Sequence, residues 1–353
     1  MHRIMVAMSG GVDSSVAAML LQQKGYEVVG VTMCLGVASP DSSQPTCCGP
    51  QAVRDARRVC DQLGIAHYVF DYAEPLRTHV IDTFIDEYAR GRTPNPCVLC
   101  NRYLKFDSLL HKATAMGFDS LATGHYARLA HERGAVHMLT AVDEIKDQTY
   151  FLARIERTAL ARVLFPAGEY TKECIRQLAR DSHLPVAEKG ESQDICFIPH
   201  GDYRSFVAER VHAEPGPFVD RRGVRLGTHT GITNYTIGQR KGLGVAVGTP
   251  LYVVDIWPQD NTVVLGPREQ LLSTGLIATG VNLLCDTLPP RAQAKVRYSH
   301  APAPCSVSFD DQRLTVTFDT PQESVTPGQA VVLYDGETVL AGATIDCRLM
   351  TAD

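Results

Sequence analysis

Ile4-Met5-Val6-Ala7-Met8-Ser9-Gly10-Gly11-Val12-Asp13-Ser14-Ser15-Val16-Ala17-Ala18-Met19-Leu20-Leu21 is the stretch whose reading decides the fold. Its first five residues are apolar and read as a buried strand, the glycine pair as a tight turn, and Val16 to Leu21 as the opening of a helix. Adjacent glycines let a backbone approach an anion closely. The first amides of a helix point outward, unsatisfied and positively polarised. The stretch therefore predicts a grip for a nucleotide phosphate. It lacks the lysine of a Walker loop and the spacing of a dinucleotide fingerprint, so neither of those sites fits. The plainer alternative is an ordinary strand-to-helix turn with a Ser or Asp cap.

The alternation of strand and helix continues to about residue 200. Glu27-Val28-Val29-Gly30-Val31-Thr32-Met33 reads as the second strand, and Val53, Ala56, Val59, Cys60 and Leu63 recur at helical spacing up to Gly64. Ala66 to Phe70 reads as the third strand. Leu76, Val80, Ile81, Phe84, Ile85 and Tyr88 repeat the helical pattern, closed by Gly91, and Ser120-Leu121-Ala122-Thr123 reads as a further strand. This predicts a doubly wound parallel-sheet α/β domain over 1–203, with ligands beyond the carboxyl ends of its strands, where Ser9 to Ser14, Met33 and Gly124-His125 fall. The charge run Arg54 to Arg58 reads as a solvated helix face. After about residue 205 Gly, Pro and Thr become frequent, and runs such as Pro250 to Ile256 and Thr262 to Leu265 predict a small central domain of short strands over 204–274. Ala294 to Tyr298, Cys305 to Phe309, Leu314 to Phe318 and Ala330 to Tyr334 alternate near strand period. They predict a C-terminal β-barrel over 275–353.

At 353 residues the chain exceeds one typical domain, and 44% hydrophobic content supports real cores. The apolar stretch after Met1-His2-Arg3 is too short for a signal peptide, and no segment is long enough to span a bilayer. A cytoplasmic protein with no membrane partner is expected. The eleven cysteines then read as thiols. A net charge of −5 argues against coating nucleic acid by bulk electrostatics, so RNA contact must use local basic patches.

A second constellation lies in Gly91-Arg92-Thr93-Pro94-Asn95-Pro96-Cys97-Val98-Leu99-Cys100-Asn101-Arg102, where C-x-x-C sits between a proline-stiffened turn and a helix expected near Tyr103. Alone, C-x-x-C reads as a redox pair, half of a zinc site or two core cysteines. A four-Cys zinc site would need a second pair, and Cys47-Cys48 is adjacent in sequence, which is poor geometry for chelation. Ile195-Cys196-Phe197-Ile198 supplies a third candidate thiol.

Ser9-Gly10-Gly11-Val12-Asp13-Ser14 resembles the SGGxDS pyrophosphate loop of the N-type ATP pyrophosphatases, the PP-loop enzymes. Together with TPNPCxxCN at 93–101, Ala122-Thr123-Gly124-His125-Tyr126, Lys146 to Leu152, Ile195 to Ile198 and Gly238-Gln239-Arg240-Lys241-Gly242-Leu243-Gly244, the order of motifs over nearly the whole chain resembles the tRNA-specific 2-thiouridylases. The resemblance implies an enzyme, a tRNA-uridine 2-sulfurtransferase. It uses ATP and Mg²⁺ to place AMP on the C2 oxygen of the wobble uridine and replaces that oxygen with sulfur. The expected tRNAs are the Glu, Gln and Lys acceptors, and the expected sulfur source is a cysteine desulfurase or sulfur-relay protein.

By the same resemblance Ala7, Met8, Ser9, Gly10, Gly11, Val12, Asp13, Ser14, Met33 and Gly124 bind the nucleotide. Asn95, Pro96 and Cys97 meet the target base, and His125, Lys146, Asp147, Gln148, Arg297, Tyr298 and Gln329 contact tRNA. Cys196 carries the persulfide sulfur and Cys100 frees it through a Cys100–Cys196 disulfide. One branch of the family has Asp where Cys97 stands. Its replacement leaves a second option, a four-iron four-sulfur cluster held by Cys97, Cys100 and Cys196. The segment between Gly190 and Cys196 is expected to move so that the persulfide meets donor and base. The remaining eight cysteines read as unreactive. Two rival readings are another PP-loop adenylating enzyme, such as a tRNA cytidine thiolase or a synthetase, and a non-catalytic iron–sulfur RNA-binding protein.

Overall fold

The computed structural model describes residues 2–36, 49–132, 134–190, 195–198, 201–245 and 248–350. They form two compact units, one of Met1–Val80, Cys97–Gly201 and Glu337–Val339, the other of Ile81–Pro96, Asp202–Gly336 and Leu340–Asp353. Cys47, Cys48 and residues 191–194 of the expected moving stretch between Gly190 and Cys196 lie outside the described residues.

In the first unit β1 (Arg3–Ala7), β2 (Glu27–Cys34), β3 (His67–Asp71), β4 (Ser120–Thr123) and β7 (Val163–Leu164) form a parallel sheet in the order β3-β2-β1-β4-β7. Ile4, Met5 and Val6 of β1 are fully buried, as a strand covered on both faces must be. Between β4 and β7 the chain makes an antiparallel hairpin, β5 (Arg128–Glu132) and β6 (Ala135–Leu139), which the alternation did not predict. Helix α1 (Val12–Gln23) is buried from Ser14 through Leu21, so its apolar run is continuous rather than striped. Ile175, Ala179, Leu184 and Val186 share a core with it. Each large side chain withdrawn from water there contributes on the order of 2 kcal/mol. Helix α2 (Pro50–Leu63) is amphipathic and stops at Gly64, whose φ of 66° suits a residue without a side chain. Within the charge run on this helix Asp55 departs from the expected solvated face. It is buried, because Lys189 Nζ meets its carboxylate at 2.7 Å.

The second unit starts with the segment 81–96, which the sequence placed in the parallel-sheet domain. Phe84 and Tyr88 of the helix Asp82–Ala89 turn their rings onto Phe206 and Tyr203, and Gly91 lies against Ile256. A four-stranded sheet follows, with β8 (Gly216–Val219), β9 (Arg225–His229), β10 (Tyr252–Trp257) and β11 (Thr262–Gly266) in the order β10-β11-β8-β9. The barrel is built from β12 (Leu272–Leu283), β13 (Arg291–Lys295), β14 (Ala303–Asp310), β15 (Arg313–Glu323), β16 (Ala330–Asp335) and β17 (Thr338–Leu349). They run in the order β12-β15-β14-β13-β16-β17, and β12 pairs with β17 to close it. Leu276, Val316, Leu333 and Ile345 fill its interior. The strand expected through Tyr298 ends at Lys295, so Arg297 and Tyr298 stand in the turn beyond it. Among the described residues no helix is long and apolar enough to cross a membrane.

Candidate active site

Gly11 stands at the start of α1 in an extended conformation and makes no side-chain capping bond. The Ser or Asp cap of the plainer alternative is absent, and the first amides of the helix stay available to an anion. The loop is shaped by its own hydroxyls. Ser9 N donates to Ser14 Oγ at 3.2 Å, while Ser14 Oγ and Ser15 Oγ donate to Gly11 O at 3.2 and 2.8 Å. Gly10 has φ of 69°, and a Cβ there would lie 2.3 Å from Ala52 O, so both conformation and space demand glycine. Gly124 is equally confined, since a Cβ on it would fall 2.5 Å from Ser14 N and 2.6 Å from the Asp13 carbonyl carbon. Its close approach is to the chain's own helix start. Met8 and Met33 are buried at the ends of β1 and β2, and Thr32 Oγ1 donates to Met8 O at 2.9 Å.

Two lysines that sequence reasoning missed anchor this loop. Lys172 Nζ donates to both oxygens of Asp13, at 2.7 and 2.8 Å, and Tyr126 OH donates to the same carboxylate at 2.7 Å. Lys189 Nζ donates to Gly10 O at 2.9 Å and to Asp55. Asp13 and Lys172 are 159 residues apart, and neither Lys172 nor Lys189 lies in a motif. The one local signal was Tyr126, which closes the ATGHY string and is tied to Gln148 in both directions. Tyr126 N donates to Gln148 Oε1 at 3.0 Å, and Gln148 N to Tyr126 O at 2.8 Å.

The cysteine loop is more helical than expected. Pro96–Leu99 is already α-helical, Cys100–Leu109 is wound as a π-helix and Leu110–Ala115 returns to α, so the helix begins seven residues before Tyr103. Proline suits the first turn because its missing N–H would bond nothing there. Cys97 and Cys100, three apart in that turn, are neighbours on the helix surface. Cys97 is exposed, and Cys100 is partly buried, as is Cys196. A ten-residue π stretch is long for a conformation usually confined to single bulges, which concentrate at functional sites. Asn101, nearly fully buried, donates to Phe151 O at 3.1 Å. Lys105 Nζ donates to Asn101 Oδ1 at 2.9 Å and reaches His125 Nε2 at 3.4 Å. The helix is thereby joined to the Lys146 to Leu152 motif and to His125. Burial, and then the Lys105 cation, hold the His125 pKa well below its ordinary value. The ring is neutral, and its Nδ1–H faces Thr123 Oγ1 at 2.7 Å.

Other residues assigned to tRNA by resemblance have partners inside the protein. Asp147 is buried, and its carboxylate accepts from Ala141 N and Thr149 Oγ1 at 3.0 and 2.6 Å, which shapes the turn carrying Lys146 and Gln148. In the second unit the Arg297 guanidinium donates to Ser324 O, Ile237 O and Thr326 Oγ1. Gln329 Nε2 donates to Thr93 O and Pro94 O at 2.9 and 3.2 Å, so Gln329 adjoins the segment holding Asn95 and Pro96. Tyr298 is exposed.

Burial pushes the thiols of Cys60 and Cys305 up, to about 12 and about 11, which keeps them protonated and inert. Cys34 and Cys285 are partly buried, and Cys174 and Cys347 exposed. Among the described residues no three His, Cys, Asp or Glu side chains are gathered so as to hold a metal ion. The iron–sulfur option at Cys97, Cys100 and Cys196 gains no support from them. For Mg²⁺ the fit is better, because that ion takes one or two carboxylates and completes its shell with phosphate oxygens and water, and Asp13 supplies a carboxylate at the loop.

Three family models match the chain in succession: a tRNA methyl transferase HUP domain over residues 2–200, a tRNA methyl transferase PRC-barrel domain over 204–267 and an aminomethyltransferase beta-barrel domain over 273–345. A tRNA-specific 2-thiouridylase MnmA of Carboxydothermus hydrogenoformans is 51% identical over 98% of each chain. The tRNA-specific 2-thiouridylase MnmA 1 of Syntrophus aciditrophicus is 50% identical over 99% of this chain and 94% of its own. That of Clostridium perfringens is 44% identical over 98% and 99%. Such identity, sustained from end to end, cannot come from a shared loop alone: this chain belongs to the tRNA-specific 2-thiouridylase family.

Proposed function

We propose that the protein uses ATP to thiolate C2 of the wobble uridine in tRNAs of the Glu, Gln and Lys type. The observation that carries the reading is the uncapped start of α1 behind Ser9 to Ser15, within the same unit as a helix that opens on Cys97 and Cys100. The C2 carbonyl of uracil is urea-like and its oxygen leaves poorly, so it must first be activated. Attack of that oxygen on the α-phosphorus of ATP forms an O–P bond and releases pyrophosphate, which the amides of Gly11 to Ser14 receive. Mg²⁺ held by Asp13 and the phosphates would supply charge neutralisation when bound. Lys172 orients Asp13 for that role.

Cys196, loaded as a persulfide by a desulfurase or relay protein, then attacks C2 through its outer sulfur, and AMP leaves. The base is now joined to Cys196 through S–S. The Cys100 thiolate attacks the Cys196 sulfur, that S–S bond breaks, and its electron pair stays on the sulfur of 2-thiouridine. The two cysteines, oxidised by two electrons, become a Cys100–Cys196 disulfide, which a cellular thiol reduces before the next cycle. No step runs through an iron–sulfur cluster. Cys97 and the Asn95-Pro96 turn meet the base, while Lys146, Gln148 and the exposed Tyr298 face tRNA as phosphate and stacking contacts. His125, neutral, with Nδ1–H on Thr123 and Nε2 facing Lys105, meets tRNA without a positive charge.

The test is pyrophosphate–ATP exchange stimulated by unmodified tRNA, run beside 2-thiouridine formation with a persulfide donor. Cys196→Ser is expected to keep the exchange and lose thiolation. Absence of tRNA-stimulated exchange in the parent would refute the reading.

A further inference from the structure

We infer that Gln329 is a positioning residue for sulfur transfer: its side-chain amide, set by the barrel, clamps the carbonyls of Thr93 and Pro94 and so fixes the backbone that runs into the cysteine helix at Pro96. The inference rests on the thiolation reading above and concerns a task beyond contact with tRNA.

The stretch 93–96 has few handles. Pro94 and Pro96 have no N–H, and each restricts the residue before it to extended conformations, so the segment is stiff and is held by its carbonyl oxygens and by the polar groups of Thr93 and Asn95. The barrel holds it by those oxygens and by the Thr93 amide. Gln329 Nε2 donates to Thr93 O at 2.9 Å and Pro94 O at 3.2 Å, and Thr93 N donates to Pro327 O at 2.9 Å. Gly328, between these two contacts, has φ of 91°, and a Cβ on it would lie 2.9 to 3.0 Å from Thr93 O, C and N. Thr93 is packed directly on that glycine. One residue earlier, the Arg92 guanidinium bonds Glu87 at 2.7 Å, Asp346 at 3.0 Å and Ile345 O at 3.1 Å.

The turn that makes these contacts is itself held. Gly328 N donates to Ile345 O at 2.9 Å, Ile345 N to Gln329 O at 2.8 Å, and Arg297 secures Ser324 O and Thr326 Oγ1 from the other side. Every link lies inside one compact unit, whose first segment ends at Pro96, the first residue of the helix carrying Cys97 and Cys100. Two carbonyl acceptors require a donor facing them. Glutamine meets that requirement, whereas glutamate of the same shape would present oxygen to oxygen.

The experiment compares Gln329→Glu, Gln329→Ala and Gly328→Ala with the parent. In the absence of tRNA, the rates at which iodoacetamide alkylates Cys97 and Cys100 are followed by peptide mass spectrometry. With tRNA, single-turnover thiolation is measured at saturating substrate, and tRNA affinity separately. Gln329→Glu is expected to slow single-turnover thiolation about tenfold or more at saturation and to change Cys97 alkylation at least about threefold, beyond any change in tRNA affinity. Gly328→Ala, which presses on Thr93 from the same barrel turn, is expected to act in the same direction. Thermal melting shows whether each variant keeps its fold, and a variant that does not is replaced by the other two. Unchanged alkylation and unchanged rate at saturation, with the loss confined to tRNA affinity, would overturn the inference and leave Gln329 as a tRNA contact. A parent that alkylates normally but forms no 2-thiouridine would instead remove the thiolation reading, while the alkylation arm still judges the clamp.

Discussion

Asp13 accepts three hydrogen bonds from two donor groups, two from Lys172 Nζ and one from Tyr126 OH. The Lys172 side chain is 12% exposed and that of Asp13 is 30% exposed, so the ion pair is shielded enough to matter, unlike most pairs on open surface. Its value in the proposed reaction is to keep the carboxylate aimed beside a loop that must also attract phosphate. Lys172→Met removes the ammonium that orients the Asp13 carboxylate and leaves only Tyr126 OH to hold it. We expect tRNA-stimulated pyrophosphate exchange to fall on the order of 30-fold, equivalent to about 2 kcal/mol, while the melting temperature changes little. An exchange rate equal to the parent's would show Lys172 to be a structural tie. The loop itself was legible in the sequence because its chemistry is local: two glycines, a helix start and short hydroxyls within seven residues. Lys172 and Lys189 were not, because what singles them out is the company they keep far along the chain.

At the scale of elements, the cysteine helix gains its position through a run of polar contacts from Phe151 through Asn101 and Lys105 to His125. His125 is held neutral by burial and by the Lys105 cation, and burial displaces His67, His229 and His300 in the same direction. A histidine whose folded pKa is depressed leaves stability intact above its unfolded value. As pH falls below about 6.5 the unfolded chain takes up the proton first, and stability is lost. The urea midpoint is therefore expected to drop between pH 7.5 and 5.5, and to drop less in His125→Gln, measured by equilibrium unfolding at both pH values. An equal drop in the variant would assign the acid sensitivity to the other three rings. Sequence reading found the strands and the amphipathic α2 because period and stop signals lie in the residues themselves. It started the cysteine helix too late because Pro94 and Pro96 read as turn formers, whereas Pro96 occupies a first helical turn, where proline is tolerated. It extended the strand into Arg297 and Tyr298 because alternation does not end where pairing ends.

Over the whole molecule, chain order and compact units do not coincide. The segment Ile81–Pro96 packs with the central sheet and barrel, and Glu337–Val339 with the parallel-sheet unit. Periodicity alone placed residues 1–203 together, since a helix closed by Gly91 looks the same whichever core its apolar face meets. A fragment ending at residue 203 accordingly leaves Phe84 without Phe206 and Arg92 without Asp346. We expect trypsin to cleave such a fragment after Arg90 or Arg92 at least about tenfold faster than the intact chain, as local opening there becomes frequent. Equal resistance would mean that the segment is held within the first 203 residues.

The clamp on Thr93 joins residues 236 positions apart. At ribosomal speeds of roughly 5 to 20 residues per second, the partner of Thr93 is made roughly 12 to 50 s after Thr93 itself. During that interval the nascent protein already holds its phosphate loop and both cysteines of the helix, but the root of that helix has nothing to close upon. Competence arrives with the last strands of the barrel, and a chain released early is a nucleotide-binding fold whose sulfur chemistry has never been assembled.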